Sequence, residues 1–428
     1  VDHFSYVNGE LRAENVSLDE LAAEFGTPFF CYSTATLTRH YQVFADALSG
    51  VDADIYYAMK ANSNLGVLAT LARLGAGADI VSGGELIRAQ AAGISPSKIV
   101  FSGVGKSVEE LRAALAADVH QINVESYEEL HALSAVAAEM GKTAQIAIRV
   151  NPNVDAKTHA KITTGLSENK FGIAWEQAEA IFVEANGLPG IEVAAVAVHI
   201  GSQLTDIAPY RAAYEKVRGL VETLRGLGLN IRSVDLGGGL GIPYDAENPP
   251  SPAEYGAMVQ DVMSGIDCRL GVEPGRMIVG NAGILVSRVI YVKSGVDRKF
   301  LILDAAMNDL IRPALYEAHH TIVPVIEPAT DAMAPIDIVG PVCETGDTFA
   351  RQRMMPEVKA GDLVAFRSAG AYAAVMASTY NSRDLLPEIL VMGSDYALVS
   401  ERVTIHDNLA REHIPGWLAD PGQEKNVG

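Results

Sequence analysis

Cysteine is scarce in this 428-residue chain, which contains only three. Cys31, Cys268 and Cys343 lie far apart, with neither disulfide-type nor metal-type spacing, so a reducing, cytoplasmic location is the expectation. No apolar stretch approaches membrane-spanning length. The N-terminal run VDHFSYVNGELRAE also lacks the basic and apolar regions of a secretory signal. Positive charge is in short supply: 33 Lys and Arg stand against 53 Asp and Glu, a net charge of −20. Such a field repels phosphate backbones and anionic lipid, so neither nucleic acid nor membrane is an expected partner. There is no solenoid-length repeat and no low-complexity tract. Apolar residues are plentiful, at 49% of the chain. The chain is longer than one hydrophobic core usually organises, which predicts two domains.

From about residue 30, short strand-like runs alternate with amphipathic helical stretches, the pattern of parallel βα units. Eight strands are predicted: 54–59, 78–82, 98–102, 119–123, 144–151, 193–199, 232–236 and 268–273. Their number and spacing match a (β/α)8 TIM-type barrel over residues 30–270, with a doubly wound open sheet as the alternative. The barrel is favoured because Lys60, Ser82, Asn151, His199, Gly237 and Glu273 all fall at C-terminal strand ends, the face where barrels carry their sites. After Glu273 the texture becomes β-rich runs broken by Gly, Pro and Asp. This predicts an antiparallel β domain formed by residues 271–428 together with 1–29.

Lys60 directly follows the apolar run IYYAM. Burial disfavours the ammonium and exposes the amine as a nucleophile, which suits Schiff-base chemistry with a carbonyl compound. A surface lysine snorkelling from a buried strand fits the same segment. His199, in VAVHIGSQ, is either a structural strand-end residue or a flat imidazole for covering an aromatic ring. Gly237, Gly238 and Gly239 after the seventh strand make either a tight turn or a cradle of backbone N–H groups for an anion. In eight-stranded barrels the loops after strands seven and eight are the usual phosphate site. Glu273, in GVEPGR, either pairs with Arg276 or holds a proton on a heteroaromatic nitrogen, with Gly275 extending the cradle. In the second half, Arg312 and Tyr316 are four residues apart, but Pro313 leaves a helix uncertain. Cys343 with Glu344, and Tyr372 among alanines, each have an ordinary packing reading as well.

Taken together, YYAMKAN, DIVSGGEL, ENKFGI, HIGSQ, GGGLG, EPGR, RPALY, CETGD and AYAAVMASTYN resemble the fold-type III pyridoxal-phosphate decarboxylases, in order and approximate spacing, from about residue 25 to 400. The resemblance implies a TIM-type barrel with an alanine-racemase-like β-sandwich or barrel. It also implies pyridoxal 5′-phosphate carried on Lys60, with Asp79 beside that lysine and His199 stacked on the ring. Ser202, Gly237 to Gly239, Gly275 and Arg276 would hold the phosphate, and Glu273 the ring nitrogen. Tyr372 would touch both cofactor and substrate. No metal is expected.

The implied assembly is a homodimer whose partner subunit supplies Cys343 as proton donor, together with Glu344. The implied reaction is decarboxylation of meso-2,6-diaminopimelate to L-lysine and CO2, the last step of lysine biosynthesis. Arg276, Arg312 and Tyr316 would take the distal carboxylate and Glu344 the distal ammonium. A simple diamine product would leave buried arginines uncompensated, at a cost on the order of 3–5 kcal/mol. That disfavours ornithine- or arginine-type substrates more than carboxynorspermidine. A racemase would place an arginine where Glu273 stands, and a non-catalytic homologue would lack Lys60 or Cys343.

Overall fold

The computed structural model describes residues 2–155, 170–330 and 332–418. The first two residues of ENKFGI and the C-terminal GQEKNVG, expected to be disordered, lie outside them.

Eight parallel strands run Ala53–Ala58, Gly77–Ile80, Ile99–Phe101, Gln121–Val124, Ala144–Asn151, Ile191–Ala197, Ser233–Asp235 and Arg269–Val272. Each hydrogen-bonds to the next, and the eighth pairs with the first through Leu270 and Ala53, closing a barrel. The strands are almost wholly buried because side chains fill one face and helices cover the other. Val, Ile and Ala dominate them, as a pleated surface buried on both sides requires.

Helix starts are set by local capping. Ser82, Ser107 and Ser126 each accept the backbone N–H of a glutamate three residues on, at the starts of Gly83–Ala91, Val108–Ala117 and Tyr127–Met140. Ser82, prominent in the sequence at a strand end, therefore serves as a helix cap.

The second sheet is built on the long strand Gly283–Ser294, which pairs with Phe29–Ser33, Lys299–Leu303 and Leu363–Phe366. Most of its pairings are antiparallel. Two are parallel: Lys299–Leu303 with Met333–Val339, and Phe29–Ser33 with Glu388–Met392. The strand Phe29–Ser33, absent from the sequence expectation, joins this sheet just before the helix Thr34–Ala47 begins the barrel. A small hairpin sheet, Phe4–Val7, Glu10–Ala13 and Val16–Ser17, precedes it.

The two parts are hydrogen-bonded at the barrel mouth. Asn62 donates its side-chain amide to the Gly370 carbonyl at 3.0 Å, and Tyr372 donates its backbone N–H to Ala61 at 2.8 Å. Tyr372 takes a left-handed backbone, φ 55°, costly for an aromatic residue and sustained here by that bond. The segment that carries Tyr372 is thus fastened to the turn that carries Lys60.

Candidate active site

Lys60 sits in the short turn Met59–Ala61 that ends the first strand, and Asp79 points inward from the second. Their Nζ and Oδ2 are 2.8 Å apart, with Asp79 fully buried. Burial works against the Lys60 charge, but the Asp79 and Glu273 carboxylates outweigh it and the net pKa moves well up. The sequence expectation of an amine deprotonated by desolvation is corrected: the pocket binds the ammonium. The other Asp79 oxygen, Oδ1, is buried without a hydrogen-bond partner.

Below Lys60 lies a polar floor. Burial, followed by the Asp235 and Asp79 carboxylates, pushes Glu273 well up. The Asn123 amide lies 3.4 Å from Asp235 and donates to Ser102 at 3.0 Å, while Ser102 reaches Glu273 at 3.4 Å. These groups, with Lys60, His199 and Arg149, line a cavity of about 410 Å³. Arg149 is held by Glu125, which also accepts the Gly103 and Gly172 backbone N–H groups. It packs over Phe171 at 4.9 Å.

His199 takes the Gly238 backbone N–H on Nδ1 at 3.2 Å. Burial, then the Arg149 and Lys60 charges, hold its pKa far below the usual value, so the ring is neutral. The triple-glycine turn has no room for side chains. A Cβ on Gly238 would lie 2.1 Å from the Glu273 carbonyl, and one on Gly239, at φ +109°, 2.2 Å from the Gly201 carbonyl. The turn therefore packs against the loops after the sixth and eighth strands; Asp235 Oδ1 takes the Gly237 N–H at 3.0 Å and His199 the Gly238 N–H, leaving the Gly239 N–H to face an anion.

Arg276 opens the helical turn Arg276–Val279 after the eighth strand and is buried. It donates to the Tyr244 hydroxyl at 2.8 Å and to Ser202 Oγ at 3.1 Å, and its Nε has no partner. Arg312 heads a true helix, Arg312–Tyr316. Pro313 is accommodated because it stands in the first turn, where its missing N–H is not needed. Tyr316 follows one turn later, on the same face. The Arg312 guanidinium stacks on Tyr244 at 4.3 Å, and Arg276 on Tyr372 at 4.8 Å.

Arg276, Arg312, Tyr244, Tyr316 and Tyr372 share with Lys60, His199 and Ser202 a second cavity of about 790 Å³. Among the described residues, neither buried arginine is paired with a carboxylate. Desolvated cations without counter-ions mark a site for an anionic ligand.

The residues singled out in the sequence thus largely converge. Cys343 and Glu344 do not: they are exposed and line neither cavity of their own chain. Asp347 stiffens their loop by accepting the backbone N–H groups of Val342 and Met307, each at 2.7 Å. Tyr244, His320, Arg149, Asn123 and Ser102 were missed. Asn123, a polar side chain ending the strand-like run VHQIN, was the one with a readable signal.

These residues fit pyridoxal phosphate. The glycine turn can admit a phosphate, and the carboxylates Asp79 and Glu273 flank the one lysine of the cavity floor. Burial and then the neighbouring carboxylates push Glu273 up, and a protonated ring nitrogen beside it would supply a positive charge that offsets them.

Residues 34–280 match the family described as pyridoxal-dependent decarboxylase, pyridoxal binding domain. The chain is 51% identical over 414 residues to a diaminopimelate decarboxylase of Pseudomonas aeruginosa, covering 97% of this chain and 99% of that protein. It is 47% identical over 416 residues to one of Vibrio cholerae, with 97% and 99% covered. The fold matches the diaminopimelate decarboxylase of M. jannaschii in co-complex with L-lysine, with a TM-score of 0.93, 36% identity, and 98% and 99% of the two chains covered. For the Helicobacter pylori enzyme complexed with L-lysine the TM-score is 0.88 at 41% identity, covering 92% and 99%. With this agreement over nearly the full length, in both sequence and barrel, the chain belongs to the diaminopimelate decarboxylase family of pyridoxal-dependent decarboxylases.

Proposed function

We propose that this protein removes the α-carboxylate of meso-2,6-diaminopimelate, giving L-lysine and CO2, as a cytoplasmic homodimer with shared active sites. The observation that carries this reading is the pair of buried guanidiniums, Arg276 and Arg312, without carboxylate partners in the cavity that also contains Lys60. A substrate with a second amino-acid head supplies the missing anion at its far end, whereas a plain diamine precursor does not. Each such charge-assisted bond contributes roughly 1.5–3 kcal/mol.

Lys60 would hold the cofactor's aldehyde carbon. The Gly237–Gly239 turn, Ser202, Gly275 and the Arg276 backbone would hold its phosphate, His199 its ring face and Glu273 its ring nitrogen. When bound, pyridoxal phosphate supplies an electron sink for the pair left on Cα as CO2 departs. Glu273 keeps a proton at the ring nitrogen, and the surrounding Asp79 and Asp235 carboxylates favour a positive charge there. Neutral His199 covers the ring without adding a second cation. Asp79, 2.8 Å from Lys60 Nζ, would hold a proton on that nitrogen, whether it is free or bonded to the cofactor's aldehyde carbon.

Cα then needs a proton, which the Cys343 thiol of the second subunit delivers. Glu344 of the same loop meets the distal ammonium, and Tyr316 and Tyr372 close over the substrate. The division into a barrel (30–270) and a β domain (1–29 with 271–428) assigns Lys60, Asp79, Ser102, Asn123 and Asp235 of the floor to one part, and Glu273 with the two arginines Arg276 and Arg312 to the other.

The test is CO2 release and L-lysine formation from meso-diaminopimelate by the cofactor-loaded protein, with L-ornithine in parallel. Preference for ornithine would overturn the reading.

A further inference from the structure

A guanidinium that must bind a substrate carboxylate presents a difficulty: inside a protein it needs partners, yet a protein carboxylate would neutralise it. The wall of this cavity avoids the problem by using neutral partners. Arg276 is held by a phenol and a hydroxyl, Tyr244 and Ser202. Arg312 has the Tyr244 ring against its face at 4.3 Å and the His320 imidazole at its edge, with Nη1 to Nε2 2.8 Å.

His320 is 2% exposed, and its second nitrogen, Nδ1, is 3.0 Å from the Arg367 carbonyl oxygen. The two partners fix the tautomer. A guanidinium only donates and a carbonyl only accepts, so Nε2 is the bare acceptor and Nδ1 bears the hydrogen. Tyr244 meets the imidazole edge-on at 5.4 Å, and Arg353 donates to the His320 carbonyl at 3.0 Å. The ring is thereby fixed from several sides. Burial first, then the Arg312 charge, pushes its pKa down to about 3, in keeping with that tautomer.

We propose that His320 is a positioning residue for substrate selection: as a neutral acceptor it aims Arg312 into the cavity while leaving its full charge for the distal carboxylate. It occupies one guanidinium N–H and cancels none of the charge. The inference rests on the substrate reading above, and it assigns selectivity to a residue outside the cavity lining.

The test is a double-mutant cycle on the cofactor-loaded enzyme, pairing His320 variants with Arg312→Met. His320→Gln supplies an amide oxygen to Arg312 and an N–H to the Arg367 carbonyl. It should keep KM for meso-diaminopimelate within about 5-fold of wild type. His320→Phe removes the acceptor and should raise KM by about 10–100-fold with kcat nearly unchanged. His320→Glu should raise KM at least as much, because its carboxylate neutralises Arg312.

In the Arg312→Met background, all three should change KM by less than about 3-fold, since His320 acts only through Arg312. A His320→Phe penalty of the same size in both backgrounds would overturn the proposal, as would a His320→Glu enzyme with wild-type KM. Should His320→Phe not fold, the Gln and Glu variants still decide. Dissociation constants for pimelate, a dicarboxylate probe, are measured across the same cycle. If wild type does not turn over meso-diaminopimelate, the substrate reading fails, and the pimelate cycle alone then decides whether His320 acts through Arg312.

Discussion

Asp79 of the second barrel strand and Lys60 at the end of the first are 2.8 Å apart, and this ion pair sets the protonation of the floor. The Asp79 charge, with that of Glu273 behind it, reverses what burial alone would do to the lysine. Asp79→Asn should therefore lower the Lys60 pKa. Competitive labelling of Lys60 in cofactor-free protein near pH 8 should proceed faster in the variant. An unchanged labelling rate would show that Glu273 alone holds the charge.

Acid sensitivity follows from two neutral imidazoles, His320 buried and His199 half-buried. His199 and His320 are both held below the usual histidine pKa of about 6.5, His320 at about 3. In the window between these values the unfolded chain binds protons that the folded chain does not, so stability rises with pH there and is lost on acidification below about 6.5. Each such group contributes up to roughly 1.4 kcal/mol per pH unit. The melting temperature of His320→Gln should fall less than that of wild type between pH 6.5 and 5. Parallel curves would mean that His320 titrates normally.

Gly238→Ala tests the glycine turn. The added methyl would sit 2.1 Å from the Glu273 carbonyl, a contact that only a backbone shift can relieve. That shift also breaks the 3.2 Å bond from Gly238 N–H to His199 Nδ1. We expect weaker retention of pyridoxal phosphate on dialysis, read from the visible absorbance of the cofactor, with a melting temperature lowered by several degrees. Full retention would remove the turn from the phosphate site.

Much of this architecture was legible in the sequence because period and punctuation are local. Each of the eight barrel strands starts and ends within a few residues of its apolar run. Lys60, His199 and Glu273 stood out because each ends such a run. Long-range pairing is where the reading went wrong or stopped. The Lys60 charge depends on a neighbour 19 residues away on another strand. Tyr244, in an irregular stretch with no periodicity, meets Arg276 across 32 residues that include a helix and the eighth strand. Phe29–Ser33, apolar and just ahead of a helix, gives no local sign that it belongs to the second sheet.

The position of Cys343 leads to the sharpest prediction. It is exposed on a loop held by Asp347 and lines neither cavity of its own chain, which is the placement expected if, as proposed, its proton serves a site on another copy. Cys343→Ala alone should lower kcat by about 10²–10⁴, the usual loss for a positioned general acid, with KM little changed. Lys60→Ala alone should be inactive. Mixed under conditions that exchange subunits, the two form hybrids in which one site keeps both Lys60 and a partner's thiol while the other has neither. Random exchange makes half of the dimers hybrid, so roughly a quarter of wild-type activity should return. If each subunit used its own Cys343, the hybrids would contain no intact site and mixing would restore nothing.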